Sequence, residues 1–367
     1  MFYHILYPLV KYNTIFNVFQ YITFRAVGAF LTAILICFVF GPKIIKLLRK
    51  YQITETISHY LPDSHKKKRG TPTMGGIIIG MGLVLSSLLW NNLTNNYVLM
   101  AVLVTIWLGG LGFLDDYLKN VRHTDEGLIE KYKISGQIVL GLIIAFVLYL
   151  GYGKTNAITQ INIPFLKDVS FSLGIFFIPF VALFITFYSN AVNLTDGLDG
   201  LAAGCIALAA FGLGVMCYVK GNFVIAQYLR IEFIKEAGEL TVFTSAIIGT
   251  ILGFLWFNIK PASIFMGDTG ALSMGGILAM LAILIKEEIF FVIISAVFVV
   301  EAISSLVQRY YFKHTRIKTG EGKRIFLCAP IHHHFELKGW SEEKIVIRFW
   351  IISMFLTALG LITLKLR

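Results

Sequence analysis

Short polar links cut this sequence into ten apolar runs, near residues 23–41, 74–90, 97–114, 134–150, 172–189, 201–219, 240–257, 270–285, 289–308 and 345–364. A helix needs roughly 20 apolar residues to cross the hydrocarbon core, with about 17 to 25 tolerated. Runs of that length predict an all-α, polytopic membrane protein of about ten transmembrane helices. The run at 270–285 is short and rich in glycine, the weakest span signal of the ten. Composition agrees: 57% of the 367 residues are hydrophobic, 14% are charged and mean hydropathy is +0.75, which excludes a soluble globular domain.

An even number of spans puts both termini on one side, and basic residues choose which. The links after spans 1, 3, 5, 7 and 9 hold 21 of the 32 lysines and arginines. By the positive-inside rule those links are cytoplasmic and the termini external. The net charge of +11 is thus mainly a topology signal, and no nucleic-acid partner is needed to explain it. Of four cysteines, Cys37, Cys205 and Cys217 lie in apolar runs and none forms a CxxC with Cys328 or another, so neither disulfides nor zinc are indicated. The N-terminus has no basic leader or small-residue cleavage site, and Lys11, Asn13 and Asn17 break its apolar stretches; it reads as an interfacial lead-in. Outside, residues 158–172 alternate around Pro164 and suggest a small hairpin, while 222–239 suggest a short surface helix.

The chemistry is on the other face. Asn193-Leu194-Thr195-Asp196-Gly197-Leu198-Asp199-Gly200 puts two carboxylates, an amide and a hydroxyl on a glycine-broken link between two apolar runs. Short acids in such a turn suit oxygen-seeking Mg²⁺ and leave backbone open to phosphate, although Asn, Asp and Gly also make ordinary polar turns. Every other cytoplasmic link also carries a cluster: Lys66 to Gly76, Asp115-Asp116-Tyr117-Leu118-Lys119, Asn258 with Phe265 to Gly270, and Pro330 to Glu336. No comparable cluster occurs on the external links. The expected organisation is one integral membrane domain over 1–367 with active-site links near 42–73, 115–133, 190–200, 258–270 and 309–344.

Each cluster also has a plainer explanation. The basic run at 66–69 serves topology. Two acids at a helix C-terminus oppose its dipole, so Asp115 and Asp116 want a cation or metal, and Lys119 can supply one if the helix continues. Asp268 can be a simple N-cap. Consecutive helical residues differ by about 100°, so His332, His333 and His334 cannot share one zinc; donation to a phosphate suits them better. Together the clusters suit phosphoryl transfer between a soluble donor and a membrane-held acceptor.

The chain resembles the phospho-N-acetylmuramoyl-pentapeptide transferases, a branch of the polyprenyl-phosphate N-acetylhexosamine-1-phosphate transferase superfamily. Lys68 to Gly76, Asp115 to Lys119, Asn193 to Gly200, Phe265 to Gly270 and Pro330 to Glu336 carry the resemblance across most of the chain, in the family's order. It implies UDP-MurNAc-pentapeptide as donor, undecaprenyl phosphate as acceptor, a lipid diphosphate and UMP as products, Mg²⁺ as cofactor, a homodimer, and a place in the bacterial cytoplasmic (inner) membrane. Carried over by motif, Asp268 is a metal ligand, with Asp196 and Asn193 near metal and diphosphate. Asp115 and Asp116 resemble the pair handling the lipid phosphate. Lys68, Thr73, Lys119, Asn258, His332 and His333 resemble nucleotide- and phosphate-site residues. The expected catalytic set is therefore Asp115, Asp116, Asp196, Asp268 and His332, with Mg²⁺ on Asp268 and Asp196.

Two alternatives are a superfamily relative using another N-acetylhexosamine donor and an ion-coupled transporter. Transporters place ionisable groups near the membrane midplane, and here only Glu301 is a clear intramembrane acid. A structural hydrogen bond from Glu301 to a neighbouring helix explains it equally well.

Overall fold

A computed structural model describes residues 1–54, 70–122, 124, 127–152, 158–164 and 170–365. The helices are α1 (Ile22–Lys50), α2 (Gly76–Trp90), α3 (Asn96–Asn120), α4 (Glu130–Tyr152), α5 (Phe177–Thr195), α6 (Leu201–Lys220), α7 (Ala237–Asn258), α8 (Gly267–Leu284), α9 (Glu288–Ile294), α10 (Ala296–Thr319), α11 (Ile331–Leu337) and α12 (Glu342–Ile362). Among the described residues, eight are long and apolar enough to cross a membrane, or nine if the bent pair α9–α10 is one span. All-helical construction follows from the solvent: lipid offers no partner to a backbone N–H, so each span bonds to itself.

The second expected span, 74–90, is α2, whose 15 residues rise about 22 Å, short of the core's thickness. It starts late because its leading amides bond elsewhere: Gly75 N and Gly76 N donate to Phe265 O and Met266 O, both at 2.8 Å. The expected hairpin is present as antiparallel β1 (Gln160–Asn162) and β2 (Ser170–Ser172). The surface helix in 222–239 spans Phe223–Leu229.

The weakest sequence signal forms the centre of the bundle. From Thr269 to Leu284 every residue of α8 is buried, chiefly against α3 and α5. Helices in lipid associate by close packing, which favours small residues at contacts. At Gly275 a side-chain carbon would come 2.2 Å from Tyr188 O, so glycine there lets α5 and α8 touch backbone to backbone. Peripheral helices keep an apolar outer face, with Leu99, Leu103 and Ile106 of α3 and Val139, Ile143 and Phe146 of α4 exposed, as lipid contact requires.

The pair α9–α10 bends by 79° at Ser295 without proline or glycine. Ser295 Oγ donates its one proton to the Phe291 carbonyl and lies 2.9 Å from Tyr188 Oη. A serine turned back onto its own helix and held by a neighbour is a recognised source of bending.

Candidate active site

Four helix ends build the centre. The expected span at 97–114 continues as helix to Asn120, so Asp115 and Lys119 stand one turn apart on one face of α3. Lys119 Nζ donates to Asp115 Oδ2 at 2.5 Å and lies 3.6 Å from Asp268 Oδ2. Lys133, in the first turn of α4, donates to Asp268 Oδ2 and sits 3.7 Å from Asp115 Oδ2. Asn193 Nδ2, near the end of α5, donates to the other Asp268 oxygen at 2.7 Å. Asp115 also accepts from Leu128 N at 2.8 Å.

Asp116 has a different task. Its Oδ2 accepts from Thr269 N at 2.9 Å and Thr269 Oγ1 at 2.6 Å, and Oδ1 accepts from Asp268 N at 3.2 Å. It thus satisfies the first free amides of α8, the work of an N-cap done by another helix, and places an acid at the positive end of the α8 dipole. Gly267 makes this possible. Its φ of +71° is open to glycine, and a side-chain carbon there would lie 2.7 Å from Asp116 Oδ2 and 3.1 Å from Thr73 Oγ1.

Single oxygens of Asp115, Asp116 and Asp268 lie within 4.8 Å of one another, the one such trio of potential metal ligands among the described residues. They face two lysines, an uneven balance beside a cavity of about 670 Å³. That cavity is lined by Asp115, Lys119, Lys133 and Asn193 on its polar side and by Phe187 and Leu306 on its apolar side. It can therefore hold an anionic head and an apolar neighbour together.

The other expected residues have partners of their own. Thr73 is buried beside Gly267. Asp196 caps α5 one turn beyond Asn193 and lies outside the carboxylate trio. His332 Nδ1 is 3.0 Å from Glu301 Oε2, both fully buried, and a side-chain carbon at Gly197 would fall 2.4 Å from His332 Nε2. The ring thus sits against the 196–199 turn, and Glu301 fixes its orientation. His333 Nδ1 meets Glu336 Oε2 at 3.0 Å, while His334 Nδ1 accepts from Leu327 N at 3.1 Å. Three neighbouring imidazoles therefore take three partners. Asn258 is buried with its amide on backbone: Oδ1 accepts from Gly200 N at 3.0 Å and Nδ2 donates to Ile264 O at 2.9 Å. It shapes the turn after Asp199. Lys68, with Lys66 and Lys67, lies outside the described residues.

Sequence reasoning did not single out Lys133, Thr269 or the Glu301–His332 pair. Lys133 carried one signal: a lysine in the first turn of a helix opposes the dipole and needs a carboxylate in compensation. The tie between Glu301 and His332 crosses 31 positions and had no local signal.

A family model described as Glycosyl transferase family 4 matches residues 98–286, and the phospho-N-acetylmuramoyl-pentapeptide-transferase signature 1 matches residues 68–79. Curated relatives with the name phospho-N-acetylmuramoyl-pentapeptide-transferase align along nearly the whole chain. One from Chloroherpeton thalassium is 48% identical over 96% of this chain and 95% of its own length. One from Desulforapulum autotrophicum is 46% identical over the full length of both. One from Chlorobium chlorochromatii is 47% identical over 99% of this chain and all of its own.

Proposed function

The chain belongs to the phospho-N-acetylmuramoyl-pentapeptide-transferase family, and from that premise we propose the reaction and the residues that run it. The protein transfers phospho-MurNAc-pentapeptide from UDP-MurNAc-pentapeptide to undecaprenyl phosphate, giving the lipid diphosphate (lipid I) and UMP for peptidoglycan synthesis. It works in the bacterial inner membrane with its active site on the cytoplasmic face, where the basic links lie. The observation that carries this reading is the trio of Asp115, Asp116 and Asp268 with Lys119 and Lys133, of which Asp115 and both lysines line a half-apolar cavity.

An oxygen of the lipid phosphate attacks the sugar-linked phosphorus of the donor. As that P–O bond forms, the bond to the UMP oxygen breaks and UMP leaves with the electron pair. A phosphate monoester has a second pKa near 6, so the acceptor is mostly dianionic at neutral pH and needs little activation. The obstacle is repulsion between two anions, and Lys119 and Lys133 offset it. No aspartate needs to act as nucleophile: Asp115 is held by Lys119 and Leu128 N, Asp116 by the α8 amides, Asp268 by Lys133 and Asn193. His332, oriented by Glu301, serves the phosphates from the 196–199 side.

The donor set fits a hard divalent cation, being three closely grouped carboxylates, one of which, Asp115, lines the cavity. Within that group Asp268 would hold Mg²⁺, whereas Asp196, outside it, is a second ligand by resemblance alone. Bound there, the ion supplies positive charge to the diphosphate.

The test is product formation by the purified protein in detergent, with no sealed compartment. UDP-MurNAc-pentapeptide and undecaprenyl phosphate should give UMP and a lipid diphosphate, and UDP-GlcNAc should not replace the donor. Turnover with UDP-GlcNAc alone would assign the chain to another branch of the superfamily, and no turnover with either would overturn the reading.

A further inference from the structure

A second cavity, of about 640 Å³, adjoins the first and shares Leu194 and Arg309 with it. Its remaining wall is α10 (Ser305, Gln308, Phe312) and the segment from Arg324 to Pro330. Among the described residues, two arginines line it and no carboxylate does. An arginine pair without an acid, beside a reaction centre, is suited to an anionic part of the substrate.

The wall is built in advance. Gln308 Oε1 accepts from Ile325 N and Phe326 N, both at 3.0 Å, and its Nε2 donates to Phe326 O at 3.1 Å. His334 Nδ1 accepts from Leu327 N at 3.1 Å, and Arg324 Nη1 donates to Leu327 O at 3.3 Å. The segment is thus tied to α10 and α11 at successive residues, and Arg324 is held along it.

Resting on the transferase reading, we propose that this cavity receives the peptide of the donor and that Arg324, with Arg309, binds its C-terminal carboxylate. The peptide is joined to the sugar through its N-terminus, so its far end is a free carboxylate whatever the side chains are. The sugar-linked phosphorus belongs in the first cavity, and the peptide extends away from it. Arg309, common to both cavities, marks the passage, and Arg324 the far end. Phe312, Ala329 and Pro330 supply apolar contact for small peptide side chains.

The experiment compares two donors in the purified full-length protein: UDP-MurNAc-pentapeptide with a free C-terminal carboxylate, and the same donor as its C-terminal carboxamide. The native protein should show KM about tenfold higher for the amide with kcat little changed, the loss of one partly solvated charge-assisted pair. Arg324→Ala should raise KM for the free acid by about the same factor and abolish the preference, while Arg324→Lys should keep part of it. Equal KM for both donors in the native protein would overturn the proposal with transferase activity intact. So would a preference that survives in Arg324→Ala. Absence of turnover with either donor would remove the transferase reading and this proposal with it.

Discussion

At one end of the bundle, Arg25 in the first turn of α1 meets Glu239 in the first turn of α7; at the other, Lys119 and Lys133 meet Asp115 and Asp268. Arg25 and Glu239 form a closed pair, with two nitrogen–oxygen contacts of 2.7 Å and side chains 2% and 14% exposed. Asn92 N fills out the carboxylate at 3.1 Å, and the Tyr3 ring covers the guanidinium at 4.7 Å. Both carboxylate oxygens of Glu239 are thereby taken. The Asp–Lys centre sets Asp115 and Asp268 against Lys119 and Lys133, adds a third acid, Asp116, held by backbone amides and a hydroxyl, and opens on a cavity. Buried charge matched one to one fixes where helices meet; buried charge left unbalanced beside a cavity is available to chemistry.

Substitutions at the two ends should therefore separate activity from stability. The largest effect is expected at Asp268. Asp268→Asn should fold, raise the Mg²⁺ concentration needed for half-maximal rate, and lose turnover by about 10² or more if charge stabilisation dominates. Near-normal turnover with unchanged Mg²⁺ dependence would remove Asp268 from the centre. At the closed end, Arg25→Met should cost about 3 kcal/mol of stability by stranding the Glu239 carboxylate, read as earlier thermal inactivation in detergent. Its turnover per folded molecule should be native, and a kcat defect would join the two regions functionally.

A smaller loss sharpens the same contrast. Lys133→Ala should lower kcat by roughly tenfold or more, as a charge-assisted contact to the reacting phosphates would, with little change in thermal inactivation. If it destabilised as Arg25→Met does, Lys133 would be a structural cation. Smaller again, Glu301→Gln keeps the shape and loses the charge behind His332, so kcat should fall by about fivefold to tenfold with folding preserved. An unchanged rate would mean that His332 needs no carboxylate to hold it.

Much of this was legible in sequence, because lipid allows few solutions. Run length located the membrane-spanning helices, and the basic links gathered Asp115, Asp116, Asn193, Asp268 and His332 on one face before any contact was known. What escaped depends on partners far along the chain. Lys133 is one lysine among many on basic links until α4 is set against α8. Asn258 has the residue type of a substrate ligand, yet Gly200 and Ile264 take both ends of its amide. The Ser295 bend depends on a hydroxyl from Tyr188, 107 positions away. The low span score of 270–285 has a cause also invisible locally: glycine lowers hydropathy at the place where the innermost helix needs close contact.

If these carboxylates only hold cations and backbone in place, the lipid phosphate itself must attack the donor. Labelled UMP offered to the enzyme with UDP-MurNAc-pentapeptide, after removal of all endogenous lipid phosphate, tests it. A phospho-aspartyl intermediate would let UMP exchange into the donor with no acceptor present, whereas direct attack forbids that exchange. The account predicts no label in the donor until undecaprenyl phosphate is added. Label entering the donor in fully delipidated enzyme, and lost in an Asp115, Asp116 or Asp268 variant, would contradict it and identify the nucleophile.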